Sequence, residues 1–265
     1  MIQQFKKTST SSDRYILVLS GGGTRGFYSL WVLKALEEFW YKEKIEAIYG
    51  ISVGAMIASY RAKGYSAQEI FDHYSTFSTK ITDRITLVPK EHLIRNDLLK
   101  EAFKTSLPKT FEALNIKTYI GATDIKTWKL IIFEQGNLIN PLLGSIALPW
   151  IFPTIKYQHY YLQDGGIIDN FPTTTAKKQY PNHKVIWIAL NLFKENQKPR
   201  NLIETLMISF DIMLKRDIVQ RIKEVDISFC ERLDCHILET NKQKRKKIFE
   251  QGYKSWKKIL SQYQK

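Results

Sequence analysis

A serine held between two glycines, Gly50-Ile51-Ser52-Val53-Gly54, follows the apolar run Ile45 to Tyr49 and precedes a stretch, Val53 to Ala62, that reads as a helix. A serine hydroxyl attacks a carbonyl only if it stands clear of the backbone on a tight strand-to-helix turn, and flanking glycines let other segments approach without Cβ clashes. The spacing G-x-S-x-G is the sequence form of such a nucleophile elbow. Ser52 is therefore the candidate nucleophile, with Gly50 and Gly54 as the residues that permit the turn.

A second glycine string, Gly21-Gly22-Gly23-Thr24-Arg25-Gly26, lies one strand earlier. Dinucleotide-binding folds use G-x-G-x-x-G between strand and helix, together with an acidic residue at the end of the next strand to hold the ribose. Here the next strand ends in Tyr49-Gly50, with Glu46 near its start, so that chemistry is disfavoured. The other use is anion binding: backbone N–H groups at a helix N-terminus stabilise negative charge, and an oxyanion forms when a serine attacks an ester. On this reading Gly21, Gly22, Gly23 and Gly26 are candidate oxyanion donors, and Arg25 adds a positive charge that modulates the site.

A serine nucleophile also needs a base. Asp164, at the end of the strand-like run Tyr160 to Gln163 and followed by Gly165-Gly166, stands where open α/β sheets place their sites, although D-G-G also marks turns. Asp124 closes another strand, and its commoner role there is turn initiation. None of His73, His92, His159, His183 and His236 stands in a glycine-rich or strand-end context.

The elements that must position these groups read as an α/β domain. Tyr15 to Leu19 is a continuous apolar strand, Phe27 to Tyr41 has helical period, and strand and helix repeat through Lys63. Ser66 with Glu69 forms a capping box for a helix to Phe77, and a further helix is expected from Glu91 to Leu107. Lys117 to Asp124 and Lys129 to Glu134 read as a hairpin, Asn140 to Leu148 as a short helix, and Trp150-Ile151-Phe152-Pro153 as an apolar loop able to wall a pocket. After a helix from Pro172 to Gln179 come an apolar strand, Lys184 to Leu190, a long helix, Leu202 to Phe229, and a last strand, His236 to Glu239. The polar stretch 1–14 is expected as a leader and 15–265 as one domain.

Forty Lys and Arg against 26 Asp and Glu give a net charge of +14, which favours polyanions, either nucleic acid or an anionic membrane surface. A nucleic-acid protein would leave the ordered glycine, serine and aspartate motifs without a role, so no nucleic acid partner is expected. Two cysteines, Cys230 and Cys235, imply reduced thiols in a cytoplasmic protein, without a disulfide framework or metal site. No stretch has the length and apolarity of a signal peptide or a spanning helix. The end of the chain, 242–265, holds nine basic residues and one acidic, with an apolar stripe at helical spacing. It is expected to bury that stripe on the domain while its outward lysines draw the protein to anionic lipid.

Taken together, G-G-G-x-R-G, G-x-S-x-G, A-T-D at 122–124, A-L-P-x-x-F-P at 147–153 and D-G-G-x-x-D-N-x-P at 164–172 resemble the patatin-like phospholipase family. The resemblance runs from about Tyr15 to Asn191, and Phe249-Glu250-Gln251-Gly252-Tyr253 resembles the family's last helix. It implies a three-layer α/β/α fold around a mostly parallel sheet, and a Ser52–Asp164 dyad without histidine, served by Gly21, Gly22, Gly23 and Arg25. It further implies a phospholipid or other acyl lipid substrate and no cofactor. The function it implies is a lipid acyl hydrolase of phospholipase A type working through an acyl-enzyme; the alternatives are an acyl thioesterase or neutral-lipid esterase on the same dyad and, in another class, a basic nucleotide- or nucleic-acid-binding protein. Sequence does not separate phospholipid, lysophospholipid, neutral lipid and acyl thioester.

Overall fold

Two apolar faces on every central strand force helices onto both sides of the sheet, and this is what the computed structural model shows. It describes residues 2–5, 13–38, 44–82, 96–193, 198–199, 202–215, 218–233 and the single residues 243, 246, 247, 250 and 253. Nine strands form one sheet: β1 (Ile2–Phe5), β2 (Tyr15–Leu19), β3 (Ile45–Ile51), β4 (Lys117–Asp124), β5 (Lys129–Phe133), β6 (Ile155–Tyr157), β7 (Tyr160–Asp164), β8 (Lys184–Phe193) and β9 (Ile227–Leu233). The spatial order is β1-β9-β8-β2-β3-β4-β7-β6, with β5 also on β4. Strands β9, β8, β2, β3 and β4 run parallel, while β1, β5, β7 and β6 join antiparallel at the margins. The sheet is thus mixed, with a parallel centre.

Alternation along each strand divides the core. Tyr15, Leu17 and Leu19 of β2 face one layer with Ile186, Ile188 and Leu190 of β8, and Ile16 and Val18 face the other with Val185, Trp187 and Ala189. The first layer is built on α1 (Gly26–Glu38), α2 (Val53–Lys63), α3 (Ala67–Thr82), α4 (Asp97–Ser106) and α5 (Ile139–Ser145). The second includes α6 (Thr173–Gln179) and α8 (Ile218–Ile222), and α7 (Leu202–Lys215) packs against β8. The capping box is present: Ser66 N donates to Glu69 Oε2 at 2.8 Å, and Glu69 N donates to Ser66 Oγ at 3.3 Å.

Two expectations change. The single helix from Leu202 to Phe229 is two helices, and its end is strand β9, because Ile227 and Phe229 find places in the core beside β8 that a helix continuing from α8 could not reach. The expected leader supplies β1, paired with β9 from Ile2↔Cys230 to Phe5↔Ile227. Helix α4 begins at Asp97, and the expected helical residues 91–95 lie outside the described ones, as does the expected strand at 236–239. In the basic C-terminal segment, Tyr253 packs on Trp31 of α1 at 5.2 Å between ring centroids and donates to Glu38 at 3.0 Å, so this part of the stripe rests on the domain.

The edge of β4 decides where the site forms. Strand β5 occupies one edge along Ile120–Phe133 to Asp124–Lys129 pairings, so β3 and β7 share the other: β3 pairs with it up to Ile51↔Gly121, and β7 arrives from the opposite direction and ends at Ala122↔Asp164. The two strands meet end to end, and each chain must turn out of the sheet at the junction. Gly165 makes its turn against β4 itself, where a Cβ would lie 2.5 Å from the Gly121 carbonyl oxygen. Gly165→Ala should therefore lower stability by ~1–3 kcal/mol through overpacking of a rigid backbone neighbour, read as a lower urea midpoint at unchanged m.

Candidate active site

Ser52, the first residue beyond β3, has φ 54° and ψ −126°, a conformation that a residue with a Cβ adopts at a cost of ~1–3 kcal/mol. It is held there from three directions. Its amide donates to Ser145 Oγ at 2.9 Å, and Ser145, at the end of α5, donates in turn to the Gly121 carbonyl at 2.6 Å. The neighbouring glycines remove what would obstruct the turn: a Cβ on Gly50 would meet Ala55 Cα at 2.5 Å, and one on Gly54 would meet the Leu19 carbonyl oxygen at 2.3 Å. Helix α2 then leaves directly from Ser52, with the Ala55 amide donating to the Ser52 carbonyl at 2.9 Å.

Asp164 faces it across the strand junction. Ser52 Oγ donates to Asp164 Oδ2 at 2.6 Å, and the other oxygen, Oδ1, accepts from the Gly166 amide at 2.9 Å. The Asp164 backbone is fixed as well, its amide donating to the Ala147 carbonyl at 2.9 Å and its carbonyl accepting from Thr123 Oγ1 at 2.9 Å. Burial pushes the carboxyl pKa up to about 6, against the lowering effect of the Ser52 hydroxyl and the Gly166 amide. This is a carboxylate kept close to the protonation midpoint that proton transfer near neutral pH requires.

The glycine loop crosses above the pair. A Cβ on Gly21 would lie 2.8 Å from Ser52 Cβ, and the Gly21 amide donates to Asn170 Oδ1 at 2.8 Å while Asn170 Nδ2 donates back to the Gly21 carbonyl at 3.3 Å. Further on, the Gly26 amide donates to the Gly23 and Thr24 carbonyls. Gly22 and Gly23 are the residues of the loop whose amides have no partner among the described residues. Tyr74 of α3 donates to the Gly23 carbonyl at 2.9 Å, which fixes that turn from outside.

The structure places the Arg25 side chain elsewhere. Its guanidinium is fully buried and makes a two-pronged contact with Asp211 of α7, Nη1 to Oδ1 at 2.7 Å and Nη2 to Oδ2 at 2.5 Å. The charge expected at the oxyanion is thus matched by a carboxylate, and Arg25 anchors the loop to α7. Asp124 has the turn role: it accepts from Thr127 Oγ1 at 2.6 Å and from the Tyr161 amide at 2.9 Å. Burial works to raise its pKa, but these hydrogen bonds outweigh it and hold the carboxyl below its ordinary value. His73 packs against Tyr60 and Tyr65, His159 against Tyr160, and His183 bonds Glu46, so these three have partners away from the dyad.

Sequence reasoning did not single out Ser145, Asn170 or Asp211. Asn170 lies inside the D-G-G-x-x-D-N-x-P string and was legible there as a polar residue with no strand or turn role of its own. Ser145 and Asp211 carry no local signal, since their partners Ser52 and Arg25 lie 93 and 186 positions away. A cavity of about 540 Å³ opens between α2, α3 and α4, lined by Met56, Tyr60, Ile70, Tyr74, Leu98 and Phe103 among others. Met56 lies one helical turn beyond Ser52, and Tyr74 joins the cavity wall to the glycine loop.

With this geometry the comparisons have something to test. A family profile described as patatin-like phospholipase matches residues 17–177, more than half the chain. The chain belongs to the patatin-like phospholipase family. An uncharacterized NTE family protein of Mycobacterium tuberculosis is 29% identical over 170 residues, 62% of this chain and 45% of that protein. A lysophospholipase, NTE1, of the yeast Lodderomyces elongisporus is 26% identical over 179 residues, 65% of this chain and 12% of that protein. The chain thus spans under half the length of these relatives. Among solved structures, VipD from Legionella pneumophila matches 98% of this chain and 70% of its own at a TM-score of 0.59 and 16% identity. The type III effector protein ExoU matches 98% and 54% at a TM-score of 0.51 and 13% identity. These two likenesses concern the patatin-like α/β fold.

The loop anchor can be tested apart from the chemistry. Asp211→Ala leaves a buried guanidinium without its carboxylate and should cost ~3–5 kcal/mol in chemical unfolding, whereas Arg25→Met combined with Asp211→Leu should recover most of that loss. Equal instability of the single and double variants would count against the pair as the loop's anchor.

Proposed function

We propose that this chain is a lipid acyl hydrolase of phospholipase A type, acting through Ser52 and Asp164. The observation that carries the proposal is the 2.6 Å hydrogen bond from the Ser52 hydroxyl to a buried Asp164 at a strand-to-helix elbow, in a chain of the patatin-like phospholipase family. The lysophospholipase relative supports an ester of a fatty acid as the bond cleaved. The cavity beside Met56 has the size of a small-ligand pocket and a largely apolar wall, which suits an acyl chain.

In this mechanism Asp164 takes the hydroxyl proton as Ser52 Oγ adds to the ester carbonyl carbon. The oxyanion is received by the Gly22 and Gly23 amides, whose lack of a partner among the described residues supports that role. On collapse of the intermediate the alcohol leaves with the proton held by Asp164, and an acyl-serine remains. Water then adds to the acyl carbon as Asp164 takes its proton, and the fatty acid departs as Ser52 is regenerated. No third residue is required to orient the base, because the Gly166 amide and the fixed backbone of Asp164 already do so.

Ser52→Ala and Asp164→Asn should each lower kcat/KM on an acyl ester by at least ~1000-fold while leaving the fold intact by circular dichroism. An Asp164→Asn enzyme that keeps most of its activity would remove Asp164 from the base role. The pH dependence follows from the raised carboxyl. Only the deprotonated form accepts the serine proton, so kcat/KM should level off above pH 6 and fall about tenfold per pH unit below it, with an apparent pKa of about 6.

The same shift has a stability consequence of fixed sign. The folded state binds the Asp164 proton more tightly than the unfolded state, so its contribution favours folding below the unfolded pKa of about 4 and is lost as pH rises through about 6. Asp164→Asn should therefore raise Tm at pH 8, with the gain shrinking as the pH approaches 4. An unchanged or lower Tm at pH 8 would show that burial does not penalise this carboxylate.

A further inference from the structure

Two tryptophans stand exposed on the structure in a conformation that their side chains disfavour. Trp128, in the turn between β4 and β5, is 81% exposed at φ 58°, and Trp150, in the loop between α5 and β6, is 54% exposed at φ 67°. A positive φ in a bulky residue is a genuine outlier that folding does not select for unless surrounding contacts impose it. Exposure this great leaves the indoles little to gain from burial in the folded chain. What they supply lies outside the domain.

Both lie on segments anchored to β7. The Trp128 amide donates to the Asp124 carbonyl at 2.9 Å, and Asp124 pairs with Leu162 of β7. The loop bearing Trp150 is pinned at its two ends, by Asp164 N donating to the Ala147 carbonyl at 2.9 Å and by Gln163 Nε2 donating to Thr154 Oγ1 at 2.8 Å. Strand β7 thus anchors both segments and carries the candidate base. Ile125, beside the Trp128 turn, and Tyr161 of β7 are exposed as well.

The charge around them has one sign. Residues 125–133 and 146–162 include Lys126, Lys129 and Lys156 and no Asp or Glu. Asp124, at the foot of the turn, is buried with its oxygens engaged by Thr127 and Tyr161, and Asp169 is turned to Arg221 at 3.5 Å. Lys156 lies 5.9 Å from the Tyr161 ring centre. Exposed indoles, tyrosines and lysines without acids are the composition that settles at a headgroup boundary, where an aromatic ring meets hydrocarbon and its polar edge meets water.

We infer that the Trp128 turn and the Trp150 loop form a docking surface for an anionic lipid bilayer, seating both indoles at headgroup level next to the Ser52–Asp164 pair. The inference rests on the lipid acyl hydrolase reading for the reason such a surface should lie here. It differs from a purely electrostatic attraction through the basic C-terminal segment, because it requires the indoles.

Co-sedimentation with phosphatidylcholine vesicles, with and without phosphatidylserine, tests it on the full chain. Ser52→Ala should bind phosphatidylserine vesicles as the wild type does. Trp128→Gly combined with Trp150→Gly should lower partitioning by on the order of tenfold or more. Lys126→Gln, Lys129→Gln and Lys156→Gln should together weaken binding to phosphatidylserine vesicles, on the order of fivefold per lysine, and leave binding to phosphatidylcholine unchanged. Trp128→Gly and the three-lysine variant should hydrolyse a monomeric short-chain ester at the wild-type rate. Glycine accepts φ 58° without strain, so Trp128→Gly alone should keep its Tm. The inference is overturned if the double tryptophan variant partitions like wild type, if the wild type itself fails to bind, or if Trp128→Gly loses Tm and so assigns the indole to folding. A wild type that binds vesicles but cleaves no ester would sink the reaction assignment and leave the docking surface standing.

Discussion

One edge of β4 cannot hold two strands at the same level, and the candidate site follows from how the chain resolves that conflict. Strand β3 uses the edge as far as Gly121 and β7 uses it from Ala122 onward, approaching from the opposite direction. Each must leave the sheet where the other begins, so two sharp turns and two strand-end side chains are forced into one place. Ser52 and Asp164 are those side chains. Their separation of 112 positions matters less than the single shared edge that makes them neighbours.

The same junction concentrates the unfavourable terms of the fold. Ser52 is held at a positive φ, Asp164 is a carboxyl raised by burial, and Gly165 passes against the backbone of β4. None of these would be selected for stability, and each persists because rigid neighbours over-determine it. Ser145 fixes the elbow amide, Asn170 clasps Gly21 from both sides, and the Arg25–Asp211 pair anchors the glycine loop to α7. The positive charge in that loop is therefore paired with a carboxylate and ties the loop to α7.

Much of this was visible along the chain because the local signals were strong. Continuous apolar runs marked β2, β3 and β8, and a capping box marked the start of α3, since these depend on residues a few positions apart. The stretch from Leu202 to Phe229 misled because an apolar run is compatible with either helix or strand. Only the open edge of β8 decided that Ile227 and Phe229 belong to β9. The strand β1 was hidden for a related reason: four residues carry almost no periodicity, and their pairing partner lies more than 200 positions away.

By itself, the sequence determined the chemistry that could be assembled: a serine able to turn out of a strand, glycines able to pass over it, and an aspartate at a strand end with the residues after it free of side chains. These are properties of residue type and short spacing, so they survive without any knowledge of the fold. Tertiary structure alone decided which amides of the glycine loop lack a partner among the described residues, that Arg25 meets Asp211, that Asp164 is buried enough to raise its pKa, and that Trp128 and Trp150 are exposed. Each of those is a distance or a solvent exposure between segments far apart in the chain, set by the packing of β7 against β4 and by no spacing in the sequence.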